Sequence, residues 1–257
     1  MKQKQSTTVL SQQEIAPGIF DMWIRTGLAA QAVPGQFIGV YPRDKSTLLP
    51  RPISICEADR GRGALRIVYR IAGAGTEEFS HYRQGDSIEI LGTLGNGFPM
   101  EAAKGKRAFL MGGGIGIPPM LELAKCLEAE CKTIIVGYRD SRTFLRDDLE
   151  RYGKVYLATE DGSVGTRGNV MDAIAEGALE ADVIYACGPM PMLRAVKVYA
   201  QEKGIPAYIS LEEHMACGVG ACLGCVVKTR EVDHHSHVHN ARICTDGPVF
   251  EAGEVQI

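Results

Sequence analysis

The sequence predicts a multidomain chain: an N-terminal antiparallel β-barrel, then an α/β domain on a parallel sheet, then an appended cysteine-rich loop. Three observations predict it. Short strand-like runs, separated by Gly, Pro, Asp and Ser, fill the first hundred residues. From about Lys104 onward, strands alternate with helices. The last 45 residues break that alternation and hold Cys217, Cys222, Cys225 and Cys244. The boundaries drawn from these changes are 1–102, 103–211 and 212–257.

In the first part the strand-like runs are Ile19 to Ile24, Phe37 to Val40, Leu65 to Tyr69 and Ser87 to Leu91. Several short strands at this spacing favour a small closed barrel. In the second part, Ala108 to Met111 is an apolar strand that enters a glycine run. Met120, Leu123, Ala124 and Leu127 then recur at helical spacing on one face. Further strands are expected at Thr133 to Tyr138, Val155 to Thr159, Val183 to Cys187 and Ala207 to Leu211. Helices are expected near Asn169 to Ala175 and Pro191 to Lys203. There is no internal repeat.

At 257 residues and 45% hydrophobic content, the chain can bury a sizeable core. A net charge of −3 gives no electrostatic case for nucleic acid or an anionic membrane. Met1 to Leu10 is polar and lacks the apolar core of a secretory signal. No apolar run approaches the roughly 18 residues of a membrane span. A soluble, cytoplasmic protein is therefore expected. Eight cysteines are many for that compartment, where disulfides are disfavoured, so clustered thiols point to metal or redox chemistry. Cys56, Cys126 and Cys131 are scattered, and Cys126 is expected to pack on a buried helical face.

Cys217, Cys222, Cys225 and Cys244 are spaced C-x4-C-x2-C-x18-C. A [2Fe–2S] cluster needs four thiolates converging on a short loop, and plant-type sites use C-x4-C-x2-C with a distant fourth cysteine. Gly218, Gly220 and Gly224 lie between the ligands, where the chain must turn tightly and bring amides to the sulfurs. Zinc is the competing reading, although structural zinc more often shows two C-x2-C pairs and only one is present. Unrelated thiols are a third. His234, His235, His237 and His239 fall between the third and fourth cysteines. With four cysteines available, they read as a solvated hairpin tip or an adventitious metal site.

Two other regions carry binding chemistry. Arg51-Pro52-Ile53-Ser54 is an R-x-x-S run whose arginine has the forked donors that a pyrophosphate needs. Val68-Tyr69-Arg70 adds a second cation and an aromatic. Gly73, Gly75 and Thr76 read as a glycine-rich loop with a free hydroxyl, suited to phosphate oxygens. The second region is Gly112-Gly113-Gly114-Ile115-Gly116-Ile117-Pro118-Pro119, between a strand and a helix. Its Gly114-x-Gly116-x-x-Pro119 differs from the G-x-G-x-x-G of dinucleotide folds. It still offers close backbone approach and a helix N-terminus to a pyrophosphate. Cys187-Gly188-Pro189 ends a later strand. After the second strand of this domain, Asp140 suits a ribose 2′-hydroxyl, while Arg139 or Arg142 suits a 2′-phosphate. The residues leave NAD and NADP both open.

These motifs, in this order, resemble over essentially the full length the electron-transfer subunit of type B dihydroorotate dehydrogenase, in the ferredoxin–NADP reductase superfamily. The most specific segments are Arg51 to Cys56, Tyr69-Arg70 with Gly75-Thr76, Gly92 to Phe98, Met215 to Cys225, and Cys244 to Phe250. The resemblance implies FAD at Arg51, Pro52, Ile53, Ser54, Val68, Tyr69, Arg70, Gly75 and Thr76, with the Ser54 region beside the flavin ring. It implies NAD at Gly113, Gly114, Gly116, Pro119, Cys187 and Gly188, and a [2Fe–2S] cluster on the four cysteines. It implies an FMN-containing catalytic subunit as partner, in a heterotetramer of two of each, serving pyrimidine biosynthesis. Electrons from dihydroorotate would pass from the partner's FMN through the cluster and FAD to NAD, with no side chain acting as general acid or base. Sibling readings are a ferredoxin-dependent NADP reductase or a hydrogenase-associated diaphorase subunit. A reading from another class is a zinc-stabilised nucleotide-binding regulatory protein.

Overall fold

A computed structural model describes residues 3–232 and 237–257. The first part contains β1 (Lys4–Ala16), β2 (Ile19–Arg25), β3 (Phe37–Tyr41), β4 (Arg51–Asp59), β5 (Ala64–Arg70), α1 (Ala74–Ser80) and β6 (Ser87–Leu94). The strands close into an antiparallel barrel in the order β1-β2-β5-β4-β3-β6, and β1 pairs with both β2 and β6. Side chains alternate across the wall: in β6, Ile88 and Ile90 are buried while Ser87 and Glu89 face water. Met22, Ile24, Ile38, Val40, Ile55, Leu65 and Ile67 fill the interior with them.

Two elements here go beyond the sequence expectation. The polar N-terminus forms β1, whose only fully buried side chain is Val9. Its many half-exposed polar residues hide the strand signal, yet it supplies the hydrogen bonds that close the barrel. Arg51 to Ser54 begin β4, a strand absent from the runs expected above.

The second part contains β7 (Arg107–Gly113), α2 (Pro118–Cys126), β8 (Cys131–Tyr138), α3 (Arg146–Glu150), β9 (Lys154–Thr159), β10 (Thr166–Arg167), α4 (Val170–Glu176), β11 (Val183–Cys187), α5 (Met190–Lys203) and β12 (Ala207–Ser210). The local signals act as expected. Asn169 caps α4 by accepting from the Met171 N–H at 2.8 Å. Gly204 ends α5 with a left-handed φ of 67°. The last part adds β13 (Val226–Lys228), β14 (Asn240–Arg242) and β15 (Val249–Glu251).

The large sheet runs β10-β9-β8-β7-β11-β12-β15. It is parallel except for β15, which pairs antiparallel with β12. The C-terminal segment therefore contributes an edge strand to the α/β sheet as well as the cysteine loop. The chain runs outward from β7 in both directions, so β7 and β11 flank the switch point, where ligands of open α/β sheets bind. The histidine-rich stretch lies between the paired strands β13 and β14. His237 and His239 are exposed, while His234 and His235 lie outside the described residues. Among the described residues, no helix is long and apolar enough to cross a membrane.

Candidate cofactor sites

A cleft of about 450 Å³ opens where the three parts meet. Arg51, Pro52, Ile53 and Ser54 come to it from the start of β4, and Val68, Tyr69 and Arg70 from the end of β5. Thr76 comes from α1, Ile115 from the loop after β7, and Ser210 to Met215 from the last residue of β12 and the segment after it. The sequence thus placed Arg51 to Ser54, Val68 to Arg70 and Thr76 on one site. It missed Phe37, Ser210, Glu212, Glu213, His214, Met215 and Pro248, which also line it. Ser210 to Met215 lie at and just beyond the carboxyl end of a parallel strand, and that position was the available signal.

Three residues differ in detail from the expectation. Gly75 and Thr76 belong to the first turn of α1, not to a loop. The Thr76 hydroxyl is not free: it accepts from the N–H groups of Ala72 (2.8 Å) and Gly73 (3.2 Å) and donates to the Gly73 carbonyl (3.0 Å). It therefore shapes the start of the helix. The Tyr69 ring turns into the barrel, stacks near Phe20 and donates its hydroxyl to Gln12 at 2.8 Å. Burial raises that phenol well above its ordinary range. Strand alternation then leaves the main chain as the part of Tyr69 that can face a ligand.

Arg51 donates to the Leu49 carbonyl at 2.7 Å, and its guanidinium lies directly over Gly75. Glu212 lines the cleft with its side chain exposed to it, yet the surrounding protein still desolvates the carboxyl. That desolvation pushes its carboxyl upward, against the pull of Arg70. Glu212 in turn acts on Cys187. Burial first, and then the Glu212 charge, raises that thiol far above its usual value, against a hydrogen bond with Ser210. Cys187 is thus a buried neutral thiol beside the cleft floor.

The two glycine motifs of the α/β domain meet each other. A Cβ on Gly116 would fall 2.4 Å from the Cys187 carbonyl oxygen. A Cβ on Gly113 would fall 2.6 Å from Met192 Sδ, and one on Gly188 would fall 2.7 Å from the same atom. At Gly116 the obstacle is backbone, so only glycine permits this packing of the β7 and β11 ends, whereas Gly113 and Gly188 face the movable Met192 side chain. Gly114 differs: it has a φ of 53° and nothing within 4 Å of its Cβ position. That face is open to a ligand. Pro118 and Pro119 begin α2, where a missing N–H costs nothing. Beyond β8, Asp140 and Arg142 are paired with each other through the Arg142 N–H (3.0 Å), its Nε (2.8 Å) and its Nη2.

The cysteines form two thiol pairs, Cys217 with Cys222 and Cys225 with Cys244. The N–H groups of Val219 and Ala221 donate to Cys217 Sγ at 3.4 and 3.3 Å. Burial opposes ionisation of Cys217, but bonds from the Val219, Cys222 and Ala221 amides and the Cys222 thiol bring it down to about 6. Burial and then the neighbouring Cys225 push Cys244 upward, against a bond from the Gly220 N–H. No three His, Cys, Asp or Glu side chains among the described residues gather as around a single ion. Two sulfur pairs with amides aimed at them fit a binuclear cluster, which spreads four thiolates over two irons. Gly218 and Gly220 have φ of 66° and 82°, as tight turning requires. The third left-handed residue is Leu223 (φ 55°), not Gly224 as the spacing suggested. Cys126, expected to be buried packing, is half-buried and donates to Glu122 at 3.4 Å.

Comparisons with known proteins point to one family. The family model of the iron–sulfur cluster binding domain of dihydroorotate dehydrogenase B matches residues 212–256. The chain is 42% identical, over a 261-residue alignment spanning 99% of each chain, to the electron transfer subunit of dihydroorotate dehydrogenase B (NAD(+)) of Geobacillus sp. strain WCH70. The subunit of that name from Bacillus caldolyticus is also 42% identical, over 98% of each chain. A solved NADH-dependent reduced ferredoxin–NADP oxidoreductase superposes with a TM-score of 0.86 at 28% identity, over 97% of this chain and 89% of that one. A ferredoxin NADP+ reductase from Neisseria gonorrhoeae with bound FAD and NADP shares the fold, with a TM-score of 0.66 at 16% identity over 83% and 95% of the chains.

Proposed function

The chain belongs to the family of electron transfer subunits of dihydroorotate dehydrogenase B (NAD(+)), and from that premise we propose which residues hold each carrier and how the partner is met. It is an oxidoreductase component carrying FAD and a [2Fe–2S] cluster and using NAD, and it works with a catalytic subunit. The observation that carries the assignment is the cleft, lined at once by the barrel, the glycine loop and the segment leading to the cysteines.

We assign FAD to this cleft. Arg51, braced over Gly75, faces the pyrophosphate, and Arg70 supplies a second cation. Pro52, Ile53, Ser54 and Val68 wall the ring, the main chain of Tyr69 borders it, and Thr76 shapes the α1 turn beneath Arg51. Gly113, Gly114, Gly116, Pro119, Cys187 and Gly188 form the NAD site at the switch point, with Gly114 as its open face. Cys217, Cys222, Cys225 and Cys244 hold the cluster in the two pairs described. Bound flavin exchanges hydride with a nicotinamide and single electrons with an iron–sulfur centre, so it belongs between them. The chain binds, orients and shields; no side chain is assigned a proton-transfer step.

Phe37 lines the cleft and also packs in the core that contains Cys225 and Cys244, so cluster loop and flavin site share a wall. The cysteine loop presents exposed Val219, Leu223 and Val226, which makes it the natural contact for the catalytic subunit. We take that partner to carry FMN and to assemble as two of each subunit. The divisions 1–102, 103–211 and 212–257 then correspond to flavin, nicotinamide and cluster roles. Anaerobic purification should yield about two irons and two acid-labile sulfides per chain with a flavin spectrum. Stoichiometric zinc without iron would overturn the cluster assignment.

A further inference from the structure

Glu122 is an ionisable residue in the middle of a buried helix, with no solvent exposure at all. Burying a carboxylate is costly unless it is paired and hydrogen-bonded. Its partners come from both sides of the domain boundary. From the barrel, the Ala58 N–H donates to Oε2 at 3.0 Å and Arg60 Nη1 donates to Oε1 at 3.2 Å. Arg60 is itself tied to the barrel through the Ala32 carbonyl at 2.8 Å. From its own helix, the Cys126 thiol donates at 3.4 Å and Lys125 Nζ stands 3.8 Å away. Lys125 crosses the boundary too, reaching Glu57 at 2.9 Å and the Ala58 carbonyl at 3.3 Å.

The two elements joined here each carry a cofactor motif at the other end. β4 begins with Arg51 to Ser54 at the flavin cleft and reaches Glu57 and Ala58 near its end. α2 begins just after the Gly114 to Gly116 loop and reaches Glu122 at its middle and Lys125 in its last turn. An α-helix is a stiff rod of about 1.5 Å per residue. A change of angle at Glu122 is therefore delivered to the glycine loop. Hydride transfer is steeply sensitive to such placement, since reacting atoms must approach to about 3–3.5 Å.

We propose that Glu122 is a positioning residue that clamps the nicotinamide helix to the flavin strand and so sets the hydride distance between the two sites. This rests on the placement of FAD and NAD given above. Glu122→Gln keeps the side-chain shape and removes the charge. Arg60→Met removes one barrel-side partner from a half-exposed position and leaves the Ala58 N–H and Lys125 beside the carboxylate, which makes it a second, independent test. The full chain loaded with FAD and cluster is mixed with saturating NADH in a stopped-flow instrument.

Each variant should lower the rate of flavin reduction about tenfold while the apparent Kd for NADH moves less than about twofold. The double variant should be no slower than the slower single one, because both remove the same contact. The long-wavelength flavin–nicotinamide charge-transfer absorbance, a readout of ring proximity, should fall in parallel. In the cofactor-free chain, hydrogen exchange of the amides at 112–117 should quicken. A variant that retains full flavin, melts at a lower temperature and still shows the wild-type hydride rate and charge-transfer band overturns the proposal and leaves Glu122 a stability element. A wild-type chain that takes up no flavin refutes the cofactor placement itself, a separately visible result.

Discussion

Arg51 rests on Gly75 so closely that a Cβ there would lie 2.7 Å from Nε. The obstacle is the end of a flexible side chain, so Gly75→Ala should fold and simply displace the guanidinium. FAD binding should weaken about tenfold, ~1.4 kcal/mol, measured by flavin titration of the apo-chain. Unchanged affinity would show that Arg51 does not face the pyrophosphate. The cysteine loop offers a paired test. Gly220 has a φ of 82° and a Cβ there would stand 2.9 Å from Thr245 Cγ2, whereas one on Gly224 meets only Cys222 Sγ at an ordinary 3.5 Å. Gly220→Ala should therefore cost about 1–2 kcal/mol in backbone strain and lower iron content, and Gly224→Ala should retain full iron. Equal loss in both variants would contradict this conformation. At this scale the glycine pattern announced a tight loop but misassigned one turn to Gly224. Leu223 takes the left-handed conformation instead, and no propensity argument finds a leucine there.

The glycine run after β7 is read correctly as a strand–loop–helix junction, yet its glycines serve different ends. Gly114 faces open space, while Gly116 is packed against the backbone of Cys187. Backbone cannot step aside as a side chain can. Gly116→Ala should thus force β7 and β11 apart, costing about 1–3 kcal/mol by overpacking. A thermal melt should fall by several degrees, and KM for NADH should rise with it. A variant with wild-type melting and KM would show that this junction is softer than described. The same contrast applies to α1. A Gly-x-Gly-Thr string reads as loop, because helix propensity disfavours glycine. The Thr76 hydroxyl overrides that by bonding the Ala72 and Gly73 amides, which organises a first turn.

The cleft belongs to no single part, since barrel, sheet and C-terminal segment each supply a wall. Its neighbours are the nicotinamide loop, which reaches it through Ile115, and the core cluster that holds Phe37 together with the buried Cys225 and Cys244. This arrangement predicts separable functions. Cys225→Ser replaces a thiolate with a poorer iron ligand and should lose or alter the cluster. NADH oxidation by artificial dyes, which take electrons at the flavin, should stay within about twofold of wild type because hydride transfer does not involve the cysteines. Electron exchange with the catalytic subunit should be abolished. Gel filtration of the mixture separates lost transfer from lost assembly. Wild-type transfer by a variant proven to lack its cluster would refute the order.

The sequence alone determined the kinds of chemistry. A C-x4-C-x2-C-x18-C spacing, an R-x-x-S run and a G-x-G-x-x-P loop are local arrangements, and local geometry is dictated by neighbouring residues. The barrel and parallel sheet were legible for the same reason, because strand and helix periods are written along the chain. The tertiary structure decided which motifs meet. Arg51 finds Gly75, Gly116 finds Cys187, and Glu122 finds Ala58 and Arg60. It also decided that β15 joins the sheet and that polar β1 closes the barrel. Such contacts form between segments far apart in the chain. They are selected by closure, packing and the pairing of buried polar groups, which no short stretch of sequence can express.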